Sequence, residues 1–153
     1  MSIEQRLGEL GLELPEAAAP IAAYVPAVEA GGMLHISGQL PFRDGEVMTG
    51  RLETDQDVAR GAEAARRCGI MLLAQAKRAL GSLDRVERIV KLGVFVASAP
   101  AFTAQPRVAN GASELMEQVL GEAGRHARSA VGVAALPLGA AVEVDAVIAV
   151  RPG

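Results

Sequence analysis

The residue types with the most chemical potential lie in one C-terminal stretch, residues 128–145. An arginine such as Arg128 suits a carboxylate ligand, because its planar guanidinium makes two parallel, charge-assisted hydrogen bonds. A nearby carboxylate such as Glu143 can hold and polarise a water molecule as a general base. If the strands that carry them pair as a hairpin across residues 136–140, both side chains approach one pocket. On spacing alone, however, an arginine and a glutamate placed in this way more often form a simple salt bridge.

Other reactive residue types are scattered. Glu143 and Asp145 share one strand face, because side chains alternate along a strand. The two histidines, His35 and His126, are far apart in sequence and each sits alone, so no metal site is expected. Cys68 lies on the apolar stripe of a predicted helix and is expected to be a small core residue rather than a catalytic thiol.

Composition narrows the function classes. The 153 residues predict a single domain spanning 1–153, with a core of aliphatic side chains, since aromatic residues make up only 3% of the chain. The net charge of −3 and the absence of a basic tract argue against nucleic-acid binding. No apolar run is long enough for a membrane span, and the first residues lack the apolar region of a signal peptide. With one cysteine, we expect a cytoplasmic protein.

Hydrophobic periodicity predicts the first half of the elements. A short helix is expected over residues 2–10, within an N-terminal extension of residues 1–19, and a connector over 15–20. Strands over 24–28 and 33–36 are joined by a Gly31-Gly32 turn, and Asp44-Gly45 marks another turn. A long helix begins at Asp55, capped by Asp55 or Thr54, and ends before Gly81.

The second half completes an α+β pattern. It predicts a strand over 86–97, a helix over 104–120, a strand over 129–133, a turn at 136–139 and a final strand over 141–150. This order favours a mixed sheet with two helices packed on one face.

Separated motifs over roughly residues 20–150 resemble the Rid (reactive intermediate deaminase, YjgF-like) family. The C-terminal signature is similar in Arg128-Ser129, in Leu136-Pro137 and in residues 142–146. Tyr24 and residues 36–41 are similar to the family's first hairpin and its Ser-Gly-Gln turn. Asn110 falls near a position where relatives often have asparagine.

The resemblance implies a chorismate-mutase-like α+β fold, a homotrimer and sites in clefts between subunits. It implies hydrolysis of reactive 2-imino and 2-enamino acids to 2-keto acids and ammonia, without a metal or organic cofactor. Arg128 would bind the substrate carboxylate, Glu143 would orient the attacking water, and backbone groups near Ala130 would contact the imine nitrogen or that water. The remaining substrate-binding positions would be Tyr24, Ser37, Gly38 and Asn110, and which subunit supplies each is left open.

Departures from the family pattern predict a divergent branch: a longer segment from Ala97 to Asn110, a longer N-terminus, and two single residues. Ala130 stands where the deaminase branch often has cysteine, so a backbone contact survives there but a thiol role does not. Gly132 replaces a residue that is commonly charged. Two alternatives remain: a non-catalytic trimer that binds a small carboxylate in the same clefts, and an endoribonuclease, a name that some relatives carry but that the acidic pI of about 5.4 disfavours.

Overall fold

The computed structural model of the protein describes residues 1–17 and 23–153. Residues 18–20 of the expected connector lie outside these ranges. Three α-helices are present: α1 (Ile3–Glu9), α2 (Val58–Leu80) and α3 (Gln105–Leu120). The seven strands are β1 (Ala27–Ala30), β2 (Met33–Gln39), β3 (Phe42–Arg43), β4 (Glu46–Val47), β5 (Val86–Ala97), β6 (Ala127–Val133) and β7 (Val142–Val150).

Local chemistry explains where the helices begin and end. Ser2 and Gln5 form a reciprocal capping box at the start of α1. Ahead of α2, residues Asp55–Asp57 form a 3₁₀ turn capped by Thr54, so the α-helix starts three residues later than the sequence predicted. Gly81 ends α2 with φ 79°, a left-handed conformation that glycine adopts at little cost.

Five strands form one sheet in the order β1-β2-β7-β5-β6, and β3 pairs with β4 in a separate hairpin. The sequence predicted only the turn of that hairpin, Asp44-Gly45. The β1–β2 turn is confirmed, since Gly31 and Gly32 both have positive φ, as a two-residue hairpin loop requires. All neighbours in the five-stranded sheet are antiparallel except β6, which runs parallel to β5.

Helices α2 and α3 pack on one face of this sheet, which confirms the predicted α+β arrangement. Strand β7 shows the division most clearly, because every second residue from Val142 to Val150 is buried against the helices. The residues between them, Glu143 and Asp145 among others, lie on the opposite face, here called the open face.

The hairpin considered for the last two strands does not form. Strands β6 and β7 do not form a hairpin across residues 136–140, because β5 lies between them and pairs with both. The connection from β5 to β6 runs through α3 on one face of the sheet. A helical crossover of this kind is what joins parallel neighbouring strands.

Candidate functional site

Arg128 lies on the helix-covered face of the sheet, at its edge. Its Cα pairs with that of buried Leu92 on β5, and paired residues on adjacent strands point to the same face. Its guanidinium Nη1 donates to Asn110 Oδ1 at 2.8 Å and to Ser113 Oγ at 3.1 Å. Helix α3 supplies both acceptors from positions three residues apart, which share one helix face. The structure therefore brings Asn110 and Arg128 together.

Ser113 also contacts a histidine. Its Oγ lies 2.9 Å from His126 Nε2, and His126 Nδ1 lies 2.6 Å from the Gly124 carbonyl oxygen. His126, expected to sit alone, is therefore bonded on both ring nitrogens. Burial lowers the pKa of His126, and the nearby Arg128 charge lowers it further, while the bond to Gly124 acts in the opposite direction. A cavity of about 220 Å³ opens here, lined by Ser113, Glu117, Arg125, His126 and Arg128.

A second group of predicted site residues lies on the open face. Ser37 and Gly38 form a β-bulge in β2, because these two residues stand opposite the single residue Asp145 of β7. Ser37 Oγ donates to the Val25 carbonyl oxygen at 3.2 Å. A Cβ on Gly38 would overlap the carboxylate of Glu143, and one on Gly93 of β5 would overlap that of Asp145. The two carboxylates therefore lean over glycines on the strands that flank β7.

Glu143 is available for chemistry. Neither Glu143 nor Asp145 makes a hydrogen bond or an ion pair with any residue in the described ranges. Burial raises the pKa of Glu143, and the Asp145 charge raises it further. A raised pKa brings a carboxylate closer to the range in which it accepts a proton efficiently at neutral pH.

Arg128 and Glu143 do not meet within one protomer. Arg128 follows the register of Leu92 on the helix-covered face, whereas Glu143 pairs with Phe95 on the open face. The predicted approach to one pocket through a β6–β7 hairpin is wrong, and so is an intramolecular salt bridge between them. The predicted site residues divide into two groups. Arg128, Asn110 and Ala130 lie on the covered face, and Ser37, Gly38 and Glu143 on the open face.

Tyr24 and Cys68 fall outside both groups. Tyr24 precedes β1, and its side chain is 57% exposed. Cys68 is fully buried with its Sγ 3.5 Å from the Val142 carbonyl oxygen, and burial raises the pKa of its thiol well above the usual range. Cys68 is thus the core residue that the sequence predicted. A larger cavity of about 390 Å³ beside residues 13–16 shares no lining residue with either group.

No helix among the described residues is long and apolar enough to cross a membrane. Within the same ranges, no three histidine, cysteine or acidic side chains are grouped closely enough to hold a metal ion.

Comparisons with known proteins identify the family of this chain. The model of the family described as "YjgF/chorismate mutase-like, putative endoribonuclease" matches residues 4–148. The chain belongs to this family. The membership confirms the resemblance to the Rid proteins and the chorismate-mutase-like fold.

The chain is similar to individual proteins over a wide range of sequence identity. Protein TCP17 of Trypanosoma cruzi is 55% identical over 148 residues, which cover 95% of this chain and 92% of that protein. The crystal structure of Atu1372, a protein of unknown function from Agrobacterium tumefaciens, is 48% identical with a TM-score of 0.88, covering 97% of this chain and 92% of that one. Escherichia coli TdcF, solved with bound serine, is 28% identical with a TM-score of 0.60, covering 90% and 94%.

The structure explains both single-residue departures from the Rid pattern, Ala130 and Gly132. The Val133 carbonyl oxygen accepts from Ser98 N at 3.1 Å and so faces β5. Because backbone groups alternate along a strand, the N–H and C=O of Ala130 point to the free edge of β6. A backbone contact at Ala130 therefore needs no side chain.

The side chains next to Gly132 explain why this position holds a glycine. A Cβ there would lie 2.7 Å from Ser98 Oγ and 2.8 Å from Gln105 Nε2. The Gln105 amide is itself held by the Phe102 carbonyl oxygen at 2.7 Å. The segment leading into α3 thus occupies the space that a charged side chain at residue 132 would need.

Proposed function

We propose that the protein hydrolyses small 2-imino and 2-enamino acids to 2-keto acids and ammonia. The observation that supports the proposal is the hydrogen bonding of the Arg128 guanidinium. Both Nη1 hydrogens are directed at Asn110 and Ser113, so the edge formed by Nε and Nη2 remains for a ligand. That edge offers the two parallel donors that match a carboxylate. TdcF, a family member, has been solved with serine, a small amino acid, bound.

The chemistry requires only water as a second reactant. An enamine first takes a proton at its terminal carbon and becomes the imine. Glu143 then accepts a proton from water as the water oxygen bonds to the imine carbon, and the C=N π electrons move to nitrogen. Return of this proton from Glu143 to nitrogen gives the carbinolamine. The hydroxyl hydrogen of the carbinolamine then passes to nitrogen as the C=O bond forms and the C–N bond breaks, which releases ammonia and leaves the 2-keto acid. A carboxylate with a raised pKa suits both proton transfers.

A complete cleft calls for two protomers. The Arg128 group sits at the covered face and free edge of β6, while the Glu143 group sits on the open face. The open face exposes apolar surface, including Val28 at 50% and Val131 at 46% exposure. We infer that three copies assemble cyclically, with the β6 edge of one protomer over the open face of the next, which repeats one cleft three times.

The test is release of ammonia and keto acid from imines that an amino-acid oxidase generates in the assay. Wild-type protein should exceed the spontaneous rate, and Arg128→Ala should reduce kcat/KM on the order of 100-fold, as expected for two charge-assisted bonds of about 1.5 kcal/mol each. Wild type no faster than the spontaneous rate would refute catalysis. Thermal stabilisation by 2-keto acids without any turnover would instead identify the non-catalytic carboxylate binder.

A further inference from the structure

Ser113 connects Arg128 to His126, and the three side chains come from separate segments. Ser113 belongs to α3, His126 lies just before β6, and Arg128 lies on β6. The links are 3.1 Å from Arg128 Nη1 to Ser113 Oγ, 2.9 Å from Ser113 Oγ to His126 Nε2, and 2.6 Å from His126 Nδ1 to the Gly124 carbonyl oxygen. The two distances to Ser113 Oγ lie in the usual range for hydrogen bonds, and the contact with Gly124 is slightly shorter.

The donor and acceptor roles in this chain follow from chemistry. The Gly124 carbonyl can only accept, so His126 Nδ1 carries a hydrogen, and Nε2 of the neutral ring must accept. Ser113 therefore donates its hydroxyl hydrogen to Nε2. The guanidinium can only donate, so the Ser113 oxygen accepts from Arg128. With a neutral imidazole, every donor hydrogen in this series of hydrogen bonds therefore has an acceptor.

We propose that Ser113 and His126 are positioning residues that hold Arg128 ready for a carboxylate, and that this hold requires neutral His126. The inference rests on the proposed function to the extent that Arg128 receives the ligand. It adds a pH-sensitive control of ligand affinity. Ser113 fixes the second Nη1 hydrogen beside the one fixed by Asn110, which orients the free Nε–Nη2 edge.

Protonation of His126 would reverse the roles. The imidazolium donates from both nitrogens, so Ser113 Oγ would accept from Nε2–H and from Arg128 Nη1–H at once, with two cations on one oxygen. The Ser113 hydroxyl hydrogen would also lose its acceptor on His126. Burial and Arg128 lower the pKa of His126, which keeps the ring neutral at physiological pH. The other charged residues of this region are Glu117 of α3 and Arg125, which line the same cavity, and Glu122 of the 3₁₀ turn Gly121–Gly124. Arg88 of β5 approaches from the sheet, where its Nη2 donates to the Arg125 carbonyl oxygen at 2.6 Å.

The experiment is calorimetric binding of 2-ketobutyrate to the intact protein and to five variants, at pH 8.0 and at lower pH. Ser113→Ala and His126→Ala should each raise Kd about tenfold at pH 8.0, the effect of losing one positioning hydrogen bond of ~1.4 kcal/mol. Ser113→Thr retains the hydroxyl and should bind within about twofold of wild type. Wild-type Kd should rise as the pH falls below the ordinary histidine value of about 6.5.

His126→Gln is the decisive variant. Its amide oxygen can accept from Ser113 but does not titrate, so affinity at pH 8.0 should be largely retained while the histidine-dependent rise in Kd at low pH disappears. Melting temperature and oligomeric mass, measured for every variant, distinguish loss of the site from loss of fold. Unchanged Kd in folded Ser113→Ala and His126→Ala, with binding lost in Arg128→Ala, would overturn only the positioning role of Ser113 and His126. Absence of 2-ketobutyrate binding in wild type would overturn both the positioning role of Ser113 and His126 and the binding of a carboxylate by Arg128. Binding without turnover would overturn only the proposed hydrolysis.

Discussion

At the residue scale, the two charged groups of the candidate site are prepared in opposite ways. Arg128 is restrained by neutral acceptors that leave its charge uncompensated. Glu143 instead has no bonding partner among the described residues and lies partly buried next to a second acid. A restrained cation binds a carboxylate with little loss of side-chain entropy. An unsatisfied, partly buried carboxylate is a local cost to stability of the kind that active sites often retain.

This cost can be measured with Glu143→Gln. A raised pKa means that the folded protein binds the Glu143 proton more tightly than the unfolded chain does. The resulting stabilisation is present below the unfolded value of 4.5 and is lost as the pH rises through the raised folded value. We therefore expect Glu143→Gln to increase the melting temperature at pH 7.5 relative to wild type, and to have a smaller effect at pH 4.

The same substitution should lower kcat on the order of 100-fold or more, because it removes the general base. Thermal unfolding at the two pH values and the imine assay check the two halves of this expectation. Asp145→Asn is the control, since it also removes one charge of the pair but leaves the proposed base in place. A lower melting temperature for Glu143→Gln at pH 7.5 would show that the carboxylate has a stabilising partner.

At the element scale, the position of Arg128 depends on how closely α3 approaches α2. A Cβ on Gly111 of α3 would overlap the backbone carbonyl of Ala62 on α2, so only glycine allows this spacing. Gly111 lies between Asn110 and Ser113, the two residues that hold Arg128. The close contact between two helices thus sets the place of the acceptors at the sheet edge.

Gly111→Ala should destabilise the fold. Overpacking costs about 1–3 kcal/mol, and a clash with backbone, which cannot rotate away, lies toward the upper end of that range. This cost exceeds the ~1 kcal/mol that alanine gains over glycine in a helix. We expect a lower free energy of unfolding in urea together with weaker 2-ketobutyrate binding. Gly8→Ala in α1 is the matched control, because no atom lies within 4 Å of the added Cβ, and it should be neutral or slightly stabilising. Equal stability of the two variants would contradict the close approach of α2 and α3.

The elements themselves were largely predictable. The limits of β5 match the prediction, and α3 and β7 each begin within one residue of it, because their hydrophobic patterns are regular and glycines punctuate them. Strand order was not predictable from the same patterns. The short segment at 136–140 suggested a hairpin, but the helix between β5 and β6 was the better signal, since a strand–helix–strand unit places two parallel strands side by side. The Ser113–His126 link also escaped prediction, because it depends on the crossing of α3 over β6.

At the scale of the whole molecule, the candidate site residues are divided between two faces, so the proposed catalysis would depend on the proposed assembly. Each protomer would contribute an arginine to one cleft and a glutamate to another. Mutations in the two groups should then complement each other when they are carried by different chains.

Co-assembly of Arg128→Ala with Glu143→Gln tests this arrangement. After joint refolding of equal amounts, about a quarter of wild-type activity should return, because each cleft draws an intact arginine side and an intact glutamate side at random. Each variant refolded alone is the control and should stay inactive. Light scattering must show trimers in all samples. No recovery in mixed trimers would place both residues in the same cleft from one chain, and a clean monomer would refute the assembly.

The free edge of β6 makes aggregation the expected result of dissociation. Any cleft that keeps the Ala130 backbone open for a ligand also keeps a strand edge unpaired, and such an edge is a template for joining further chains. The strand has only seven residues, which limits the exposed length. A subunit released from the assembly would nevertheless show both this edge and the apolar open face to other chains. Dissociation should therefore be followed by precipitation rather than by a population of idle monomers, and the working lifetime of the protein should shorten when it is diluted.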